Sequence, residues 1–201
     1  MICLLAYGAE GFFVIFLMSD KTQSKIIDAE GLNRTIARLA LEIVERNRGA
    51  ENLVVLGVRT RGVPIAKRII AQIKQIENKD LPLGILDVTM YRDDVFKKIK
   101  QPVVQPTEID FEIHGKVVIL VDDVLYTGRT VRAALDAVID FGRPSKIQLA
   151  VLVDRGHREL PIRADYVGET IATEMDDEVL VNFKEVDGRD GVFLVKQLKE
   201  I

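Results

Sequence analysis

Three short runs of consecutive apolar residues place the strongest constraint on how this chain can fold. They are LVVLGV at 53–58, VVILV at 117–121 and IQLAVLV at 147–153. Strands covered on both faces read as continuous apolar runs, whereas strands with one solvated face alternate apolar and polar residues. The three runs therefore predict buried strands, and a sheet built from them needs helices on either side.

Helices are predicted before the first of these strands, over about 28–48, and between the strands, over 63–76 and 131–141. The first has apolar residues at helical spacing, with Asp28 as its N-cap and Gly49 at its C-terminal end. Further strands are predicted over 83–91 and, as a closing antiparallel pair, over 179–183 and 192–198. This order predicts an α/β fold: a doubly wound, mainly parallel sheet flanked by helices, with a small antiparallel C-terminal element.

Composition limits the kind of protein that this is. With 201 residues, 48% hydrophobic and 29% charged, the chain is neither disordered nor a fibrous repeat. A single cysteine, Cys3, excludes a disulfide framework and a multi-cysteine zinc site. The net charge of −3 hides a gradient, because residues 165–201 carry ten acidic residues against four basic ones. The mildly basic body before this acidic tail suits an anionic ligand or RNA.

The first 18 residues, MICLLAYGAEGFFVIFLM, are apolar except for Glu10 and contain neither lysine nor arginine. They lack the positive start and the cleavage site of a secretory signal. They are also slightly short for a membrane-spanning helix, which needs about 20 apolar residues. We expect an apolar N-terminal extension over 1–18 and one domain over 19–201 in a cytoplasmic protein. Met18 is the expected natural start, with residues 1–17 an upstream translation artefact. A membrane anchor is the alternative.

The segment VVILVDDVLYTGRT, at 117–130, carries the most specific chemical signal. A buried strand delivers Asp122 and Asp123 to its carboxyl end, and residues 127–130 open the next helix. Free N–H groups and the positive end of the helix dipole favour an anion at that point. Because carboxylates accept hydrogen bonds from sugar hydroxyls and can hold hydrated Mg²⁺, a phosphorylated sugar fits both halves. The segment matches neither the P-loop nor the dinucleotide-binding fingerprint.

Three other loops follow predicted strands, at 59–62, 92–110 and 154–163. Ligands of open α/β sheets bind beyond the carboxyl ends of the strands, so these loops are candidates for the site. The second mixes charges with two prolines and has no convincing period, which is typical of a functional lid or a disordered loop.

The acidic pair and its turn, VILVDDVLYTGRT, resemble the phosphoribosyl-pyrophosphate (PRPP) motif of type I phosphoribosyltransferases. More narrowly, GVRTRGVPIAKR at 57–68, MYRDD at 90–94 and LVDRGHRELPIRADYVG at 152–168 resemble the bifunctional pyrimidine operon attenuation regulators and uracil phosphoribosyltransferases. The resemblance implies transfer of a phosphoribosyl group from PRPP to uracil, with Mg²⁺, giving UMP and pyrophosphate. It also implies a homo-oligomer that binds pyr operon leader mRNA when loaded with UMP or UTP and promotes transcription termination.

By the same resemblance, the motifs lend roles to their residues. Thr60, Arg61 and Gly62 match the loop that binds the diphosphate, and Arg92 opens a flexible loop that closes on PRPP. Asp122 and Asp123 hold the ribose hydroxyls, and Mg²⁺ arrives on PRPP, contacting these acids at most through water. With Arg92, they are the expected catalytic residues. The residues implied in nucleotide binding are Asp122, Asp123, Val124, Leu125, Tyr126, Thr127, Gly128, Arg129 and Thr130.

The loop after the strand at 147–153 is implied as a hood over the base, shaped by Arg155, Gly156 and Pro161. The residues implied in RNA binding lie on this loop and on the first helix: Arg34, Arg38, His157, Arg158 and Arg163. Two departures weigh against RNA binding. The first helix carries Ala37 and Leu41 where family members often have polar residues, and the C-terminal region is acidic.

Three other functions stay open on the sequence. One is an enzyme without RNA regulation, and another is a non-catalytic nucleotide-sensing RNA regulator. The third is a purine phosphoribosyltransferase, against which Tyr126 argues. Purine-using relatives carry an aspartate at that place that hydrogen-bonds the base, and a phenol is a poor base near neutral pH.

Overall fold

The computed structural model describes residues 21–91 and 105–197. Along the chain its elements are β1 Lys21–Ile27, α1 Ala29–Asn47, β2 Leu53–Val58, α2 Gly62–Glu77, β3 Leu83–Leu86, β4 Val117–Leu125, α3 Arg129–Asp140, β5 Lys146–Asp154, β6 Tyr166–Thr170, β7 Glu178–Asn182, α4 Lys184–Asp187 and β8 Gly191–Gln197. A 3₁₀ turn, Thr89–Tyr91, follows β3. The predicted extension over 1–18 and Arg92 lie outside the described residues, and the start of the domain at 19 stays a prediction.

Five strands form a parallel sheet in the order β3–β2–β4–β5–β6, which confirms the predicted sheet. Strand β4 is its centre, and Val118 lies opposite Val54 of β2 on one side and Ile147 of β5 on the other. Strand β6 was not predicted. Its sequence, YVGET, is five residues long, contains a glycine and lacks the apolar run that marks the inner strands.

Helices cover both faces of this sheet. Alternate residues of β4 point to opposite faces, so Ile119 and Val121 belong to one hydrophobic cluster and Val118 and Leu120 to the other. The first cluster lies under α1, α2 and the small sheet, and the second lies under α3. The double coverage explains why the central strands are apolar throughout. No helix within 21–91 or 105–197 is long and apolar enough to cross a membrane.

A small antiparallel sheet, in the order β1–β8–β7, closes the chain. The pairing of β7 with β8 confirms the predicted C-terminal pair, with Val181 opposite Val192. Strand β1 was missed by the sequence analysis because KTQSKII is mostly polar and exposed until Ile27. The sheet is anchored by Phe183, which is fully buried against the first cluster.

Several boundaries differ from those predicted. Strand β4 extends to Leu125 rather than Val121, so the acidic pair lies within the strand and not in the turn. The extension follows from pairing with β5, where Leu125 still lies opposite Asp154. Strand β3 ends at Leu86, and the segment 87–91 leaves the sheet.

Both ends of helix α1 are set by capping residues. Asp28 is its N-cap, as predicted, and its carboxylate accepts the N–H of Gly31 at 2.8 Å. At the other end, Arg48 is the left-handed C-cap residue with φ 57°, and Gly49 follows with φ 113°.

The start of α2 packs directly on the end of β4. A Cβ added to Gly62 would lie 2.3 Å from the backbone oxygen of Val121 and 3.3 Å from Cα of Asp122. Only a glycine allows this approach, which brings the loop before α2 beside the acidic pair. The position of that loop is therefore set by main-chain packing.

Replacing Gly62 with alanine is expected to lower the free energy of unfolding by about 1–3 kcal/mol, because the added methyl group must displace backbone. Urea denaturation measures the change. Gln75→Ala, on the exposed face of the same helix, is the control and should stay within about 0.5 kcal/mol of the parent. Equal stability of the two variants would contradict the packing argument.

Candidate active site

Two adjacent carboxylates stand where β4 reaches the edge of the sheet formed by the carboxyl ends of its strands. The Asp123 N–H donates to Oδ1 of Asp122 at 3.0 Å, and the Val124 N–H donates to Oδ1 of Asp123 at 2.9 Å. Burial raises the pKa of Asp123, while the N–H of Val124 and the charge of Arg61 act in the opposite direction. The pair is thus a fixed acceptor surface beside a cation.

The turn from β4 into α3 encloses a cleft. Gly128 has φ 91°, in the left-handed region that favours glycine, and α3 begins at the next residue. The Thr127 hydroxyl accepts the N–H of Arg129 at 3.4 Å. The cleft measures about 340 Å³ and is lined by Asp122, Val124, Leu125, Tyr126, Thr127, Gly128, Arg129, Thr130, Val131 and Glu159. Because the first turn of a helix has N–H groups without intrahelical acceptors, this cleft suits an anion.

The loop between β2 and α2 lies beside the acidic pair. Thr60 is exposed, and the Arg59–Thr60 peptide bond is cis. Nη2 of Arg61 donates to Oδ1 of Asp187 at 2.9 Å. Nε of Arg61 is buried and has no acceptor among the described residues. This guanidinium brings a positive charge to the acids and keeps unused donors.

The loop after β5 is joined to the turn after β4 by a set of hydrogen bonds. The N–H groups of Glu159 and Leu160 donate to the carbonyl of Thr127 at 3.0 and 3.2 Å, and Arg129 forms an ion pair with Glu159 at 2.6 Å. The Arg158 side chain donates to Asp154 and to the carbonyls of Leu125, Tyr126, Gly156 and Ile162. The two loops therefore form one rigid unit around the cleft.

Arg155, predicted in the hood, is buried and lies over the ring of Tyr126, with 4.1 Å between its guanidinium carbon and the ring centroid. Its guanidinium donates to Oγ1 of Thr173 at 3.2 Å and to the carbonyl of Glu174 at 2.8 Å. His157 meets the same ring edge-on, with centroids 6.0 Å apart. A base entering this region would meet an aromatic face and backbone polar groups.

Gly156 and Pro161 shape the remainder of the hood. Gly156 has φ 78°, and its N–H donates to Oδ1 of Asp154 at 2.9 Å. Pro161 is exposed and lies inside a tight turn, in which the Ile162 N–H donates to the carbonyl of Leu160 at 2.7 Å.

The residues predicted for RNA binding differ in what they contact. Arg38 donates to the Gly168 carbonyl and to Glu42, and Nε2 of His157 lies 2.7 Å from the Thr173 carbonyl. Arg34 forms an exposed ion pair with Glu30. Arg163 is exposed and has no hydrogen bond or ion pair to a described residue. With Arg158 committed within the chain, Arg34 and Arg163 are the more accessible cations of this set.

Several residues around the site are not predicted from the sequence. Asp187, Thr173 and Glu174 reach it from distant segments with no recognisable motif. Glu159 was part of a matched motif but had no role assigned. Asp87 accepts the N–H of Thr89 at 2.7 Å and of Gln105 at 2.6 Å, and so joins the two sides of the predicted loop that carries Arg92. The side chain of Arg92 itself lies outside the described residues.

Within the described ranges, no group of three or more His, Cys, Asp or Glu side chains could hold a metal ion. The two carboxylates on β4 are hard oxygen donors of the kind that contact a hydrated Mg²⁺ held mainly by a ligand's phosphates. Their chemistry fits a cation that arrives with its ligand.

Comparison with known proteins is consistent with this geometry. The phosphoribosyl transferase domain family matches residues 22–184. The Bifunctional protein PyrR of Pelotomaculum thermopropionicum is 55% identical over 176 residues, which cover 88% of this chain and 97% of that protein. The protein of the same name from Clostridioides difficile is 56% identical over 170 residues, covering 85% and 96%.

Solved structures support the fold. A hypoxanthine-guanine phosphoribosyltransferase from Bacillus anthracis aligns with a TM-score of 0.65 and 23% identity, covering 85% of this chain and 96% of that one. The hypoxanthine phosphoribosyltransferase of Trypanosoma cruzi aligns with a TM-score of 0.66 and 17% identity, covering 88% and 97%. At these sequence identities the comparison supports the fold alone and does not indicate which nucleobase this chain uses.

Replacing Asp87 with asparagine is expected to destabilise the chain. Burial opposes ionisation, but the bonds from Thr89 and Gln105 and the charge of Arg59 outweigh it and lower the pKa of Asp87. A lowered pKa stabilises the fold above the ordinary pKa of about 3.9 and loses this effect as pH falls through the folded-state value. The variant should lose about 1–3 kcal/mol at pH 7, and the deficit should shrink below about pH 4.

Urea denaturation at pH 7 and at stepwise lower pH checks this expectation. Asp80→Asn is the control, because Asp80 pairs only at the surface with Lys74 and should change stability by less than about 0.5 kcal/mol. A deficit for Asp87→Asn that stays constant down to pH 3 would show that the charge of the carboxylate is not its source.

Proposed function

The chain belongs to the phosphoribosyltransferase family and, within it, to the bifunctional PyrR proteins, and on that premise we propose that it converts uracil and PRPP to UMP and pyrophosphate and regulates pyrimidine operon transcription by binding pyr leader mRNA. The observation that carries the enzymatic half is the junction of three features at one edge of the sheet. The anion cleft at α3, the acidic pair of β4 and the guanidinium of Arg61 lie side by side.

In this proposal the 5′-phosphate of PRPP occupies the cleft, bound by the first turn of α3 and by the hydroxyls of Thr127 and Thr130. Asp122 and Asp123 accept hydrogen bonds from the ribose hydroxyls. The diphosphate extends toward Thr60, Arg61 and Gly62, where main-chain N–H groups and a guanidinium meet its charge. A phosphorylated sugar with a diphosphate at C1′ matches this order of sites.

Mg²⁺ is proposed to enter with PRPP, because the two acids on β4 are too few to form a closed protein site and suit water-mediated contact. When bound, the ion neutralises charge on the leaving diphosphate. The chain's own part is to orient the substrate: Arg61 adds positive charge at the diphosphate, and Arg92 covers it from its loop and excludes water.

The reaction then needs no protein nucleophile. The bond from C1′ to the diphosphate breaks as a ring nitrogen of uracil approaches, and C1′ becomes cationic in the transition state. The proton that this nitrogen loses passes to the leaving diphosphate or to solvent. The acids on β4 fix the ribose, and fixed dipoles around the cleft stabilise charge as it develops. Water must stay out, since it would take the place of uracil.

Uracil is proposed as the base rather than a purine. The base would enter beside the Tyr126 ring, where Arg155, Gly156 and Pro161 shape the hood. Tyr126 presents a phenol that lies 3.5 Å from the Met175 carbonyl, and not a carboxylate that could accept a hydrogen bond from a purine.

Regulation by RNA is the second half of the proposal. Helix α1 packs against the edge strand β6, and Arg38 links them through the Gly168 carbonyl. Arg34 on α1 and Arg163 before β6 are both exposed and would serve as cations for RNA phosphates, with Arg38, His157 and Arg158 as the other residues of the proposed surface. In a homo-oligomer, two such faces would form a larger basic surface. An enzyme that has lost RNA binding is the alternative that Ala37, Leu41 and the acidic C-terminal region favour.

The enzymatic half is tested by an assay with PRPP, Mg²⁺ and labelled uracil, with hypoxanthine and guanine in parallel. UMP is expected from uracil, with no product from either purine. Asp123→Asn should lower kcat/KM roughly 100-fold or more, because one fixed ribose acceptor becomes an amide. Asp136→Asn, on the exposed side of α3, is the control and should keep parental turnover. Parental turnover by Asp123→Asn would remove the carboxylate's role, and UMP binding without turnover in the parent chain would favour the sensor.

The regulatory half is tested by gel shift with pyr leader RNA, with and without UMP, at several salt concentrations. Arg163→Gln is expected to weaken binding about 3- to 10-fold and to reduce the salt slope by about one, as for the loss of one phosphate contact. Lys74→Gln, at an exposed position near the end of α2 and outside the residues implied in RNA binding, is the matched control. If the parent chain makes UMP but binds no RNA at any UMP concentration, the enzyme-only alternative holds.

A further inference from the structure

A short segment near the C-terminus meets the loop between β2 and α2, although no sequence motif connects them. Nη2 of Arg61 donates to Oδ1 of Asp187 at 2.9 Å, and the Asp187 side chain is only 19% exposed. The two residues are 126 positions apart. The contact therefore exists only because the small antiparallel sheet delivers α4 to this place.

Asp187 is itself held firmly. Its Oδ2 accepts the N–H of Phe183 at 2.9 Å, and Phe183 is fully buried in the core. Burial opposes ionisation, but the bonds from Phe183 and Arg61 outweigh it and lower the pKa of Asp187. The carboxylate is thus a charged acceptor whose orientation is set by the hydrophobic core and not by a flexible surface.

Arg61 gains orientation from this contact. A guanidinium is a flat fork with five donors, so fixing one edge fixes the direction of the others. With Nη2 on Asp187, the remaining donors include Nε, which is buried and has no acceptor among the described residues. The charge of Arg61 also acts on Asp123. The charge of one cation thus acts on both Asp187 and Asp123.

We propose that Asp187 is a positioning residue that orients Arg61 toward the diphosphate of the phosphoribosyl donor. The inference rests on the proposed transfer reaction. Asp187 acts through Arg61, holding the guanidinium in place before the substrate arrives. Binding of the diphosphate then does not have to order a flexible side chain, so the free energy of binding does not include that entropic cost.

The same segment supplies a matched control. Glu185, two residues earlier, forms an ion pair with Arg68 at 2.6 Å, and Asp190 forms a second at 2.8 Å. Arg68 also lies over the Phe183 ring. Glu185→Gln therefore removes one negative charge from α4 and disturbs its packing on α2 without touching Arg61.

The test compares Asp187→Asn with Glu185→Gln in the uracil assay. Asparagine can still accept the hydrogen bond from the Phe183 N–H, so the start of α4 keeps its structure. The ion pair with Arg61 is lost. We expect the KM for PRPP to rise roughly tenfold with kcat within about twofold. The KM for uracil should not change. Glu185→Gln should keep both KM values within about twofold, and thermal unfolding is measured for each variant.

A double mutant separates positioning from a general structural effect. If Asp187 acts through Arg61, adding Asp187→Asn to Arg61→Lys should raise the KM for PRPP no further than Arg61→Lys alone. Additive effects would overturn the proposal. So would a lower KM in Asp187→Asn, which would mean that the carboxylate merely repels the diphosphate. If Asp187→Asn does not fold, Asp187→Glu replaces it, with an expected rise of about threefold.

Failure of the transfer reaction itself is recognised separately. If the parent chain forms no UMP, the proposed function fails, and calorimetry with pyrophosphate and Mg²⁺ then tests the inference directly. Weaker pyrophosphate binding by Asp187→Asn than by Glu185→Gln supports it, and equal binding overturns it.

Discussion

The candidate site depends on the main-chain hydrogen bonds that hold β4 between β2 and β5. Because β4 is paired with β2 and β5 from Val117 to Val121, and with β5 alone up to Leu125, its last residues cannot shift without breaking the ladder with β5. The acidic pair therefore stands at a fixed height above the sheet. The same rigidity allows α2 to start in contact with the backbone of Val121, an approach that only Gly62 permits. One strand thus sets the positions of both the acids and the loop beside them.

Charges of opposite sign lie close together around the end of this strand. Taking Asp123 out of water favours its protonated form and raises its pKa, while the charge of Arg61 acts in the opposite direction. Arg61 is in turn fixed by Asp187. Each charged group is thereby oriented by a neighbour of opposite sign. An arrangement of this kind needs little reorganisation when a charged substrate binds. Such preorganisation is the main source of catalysis where the enzyme forms no covalent intermediate with its substrate.

The sequence predicted the parallel sheet, its flanking helices and the β4–α3 motif because these are encoded by residues close together in the chain. It predicted less where structure depends on distant partners. Strand β4 runs four residues past its apolar stretch because pairing with β5 continues. Strands β1 and β6 exist through their neighbours rather than through their own composition. Asp187 and Thr173 reach the site through the small sheet and the hood, and no local periodicity marks them.

Contacts within the chain also change how its basic residues are to be read. A count of arginines in the loop after β5 treats them alike, yet Arg158 joins that loop to the turn after β4 through carbonyls on both, and Arg155 is buried over Tyr126. These two cations hold the loop after β5 against neighbouring segments beside the cleft. Of the arginines in this loop, Arg163 alone is exposed and makes no hydrogen bond or ion pair to a described residue. It is therefore the arginine of this loop that a partner outside the chain can reach.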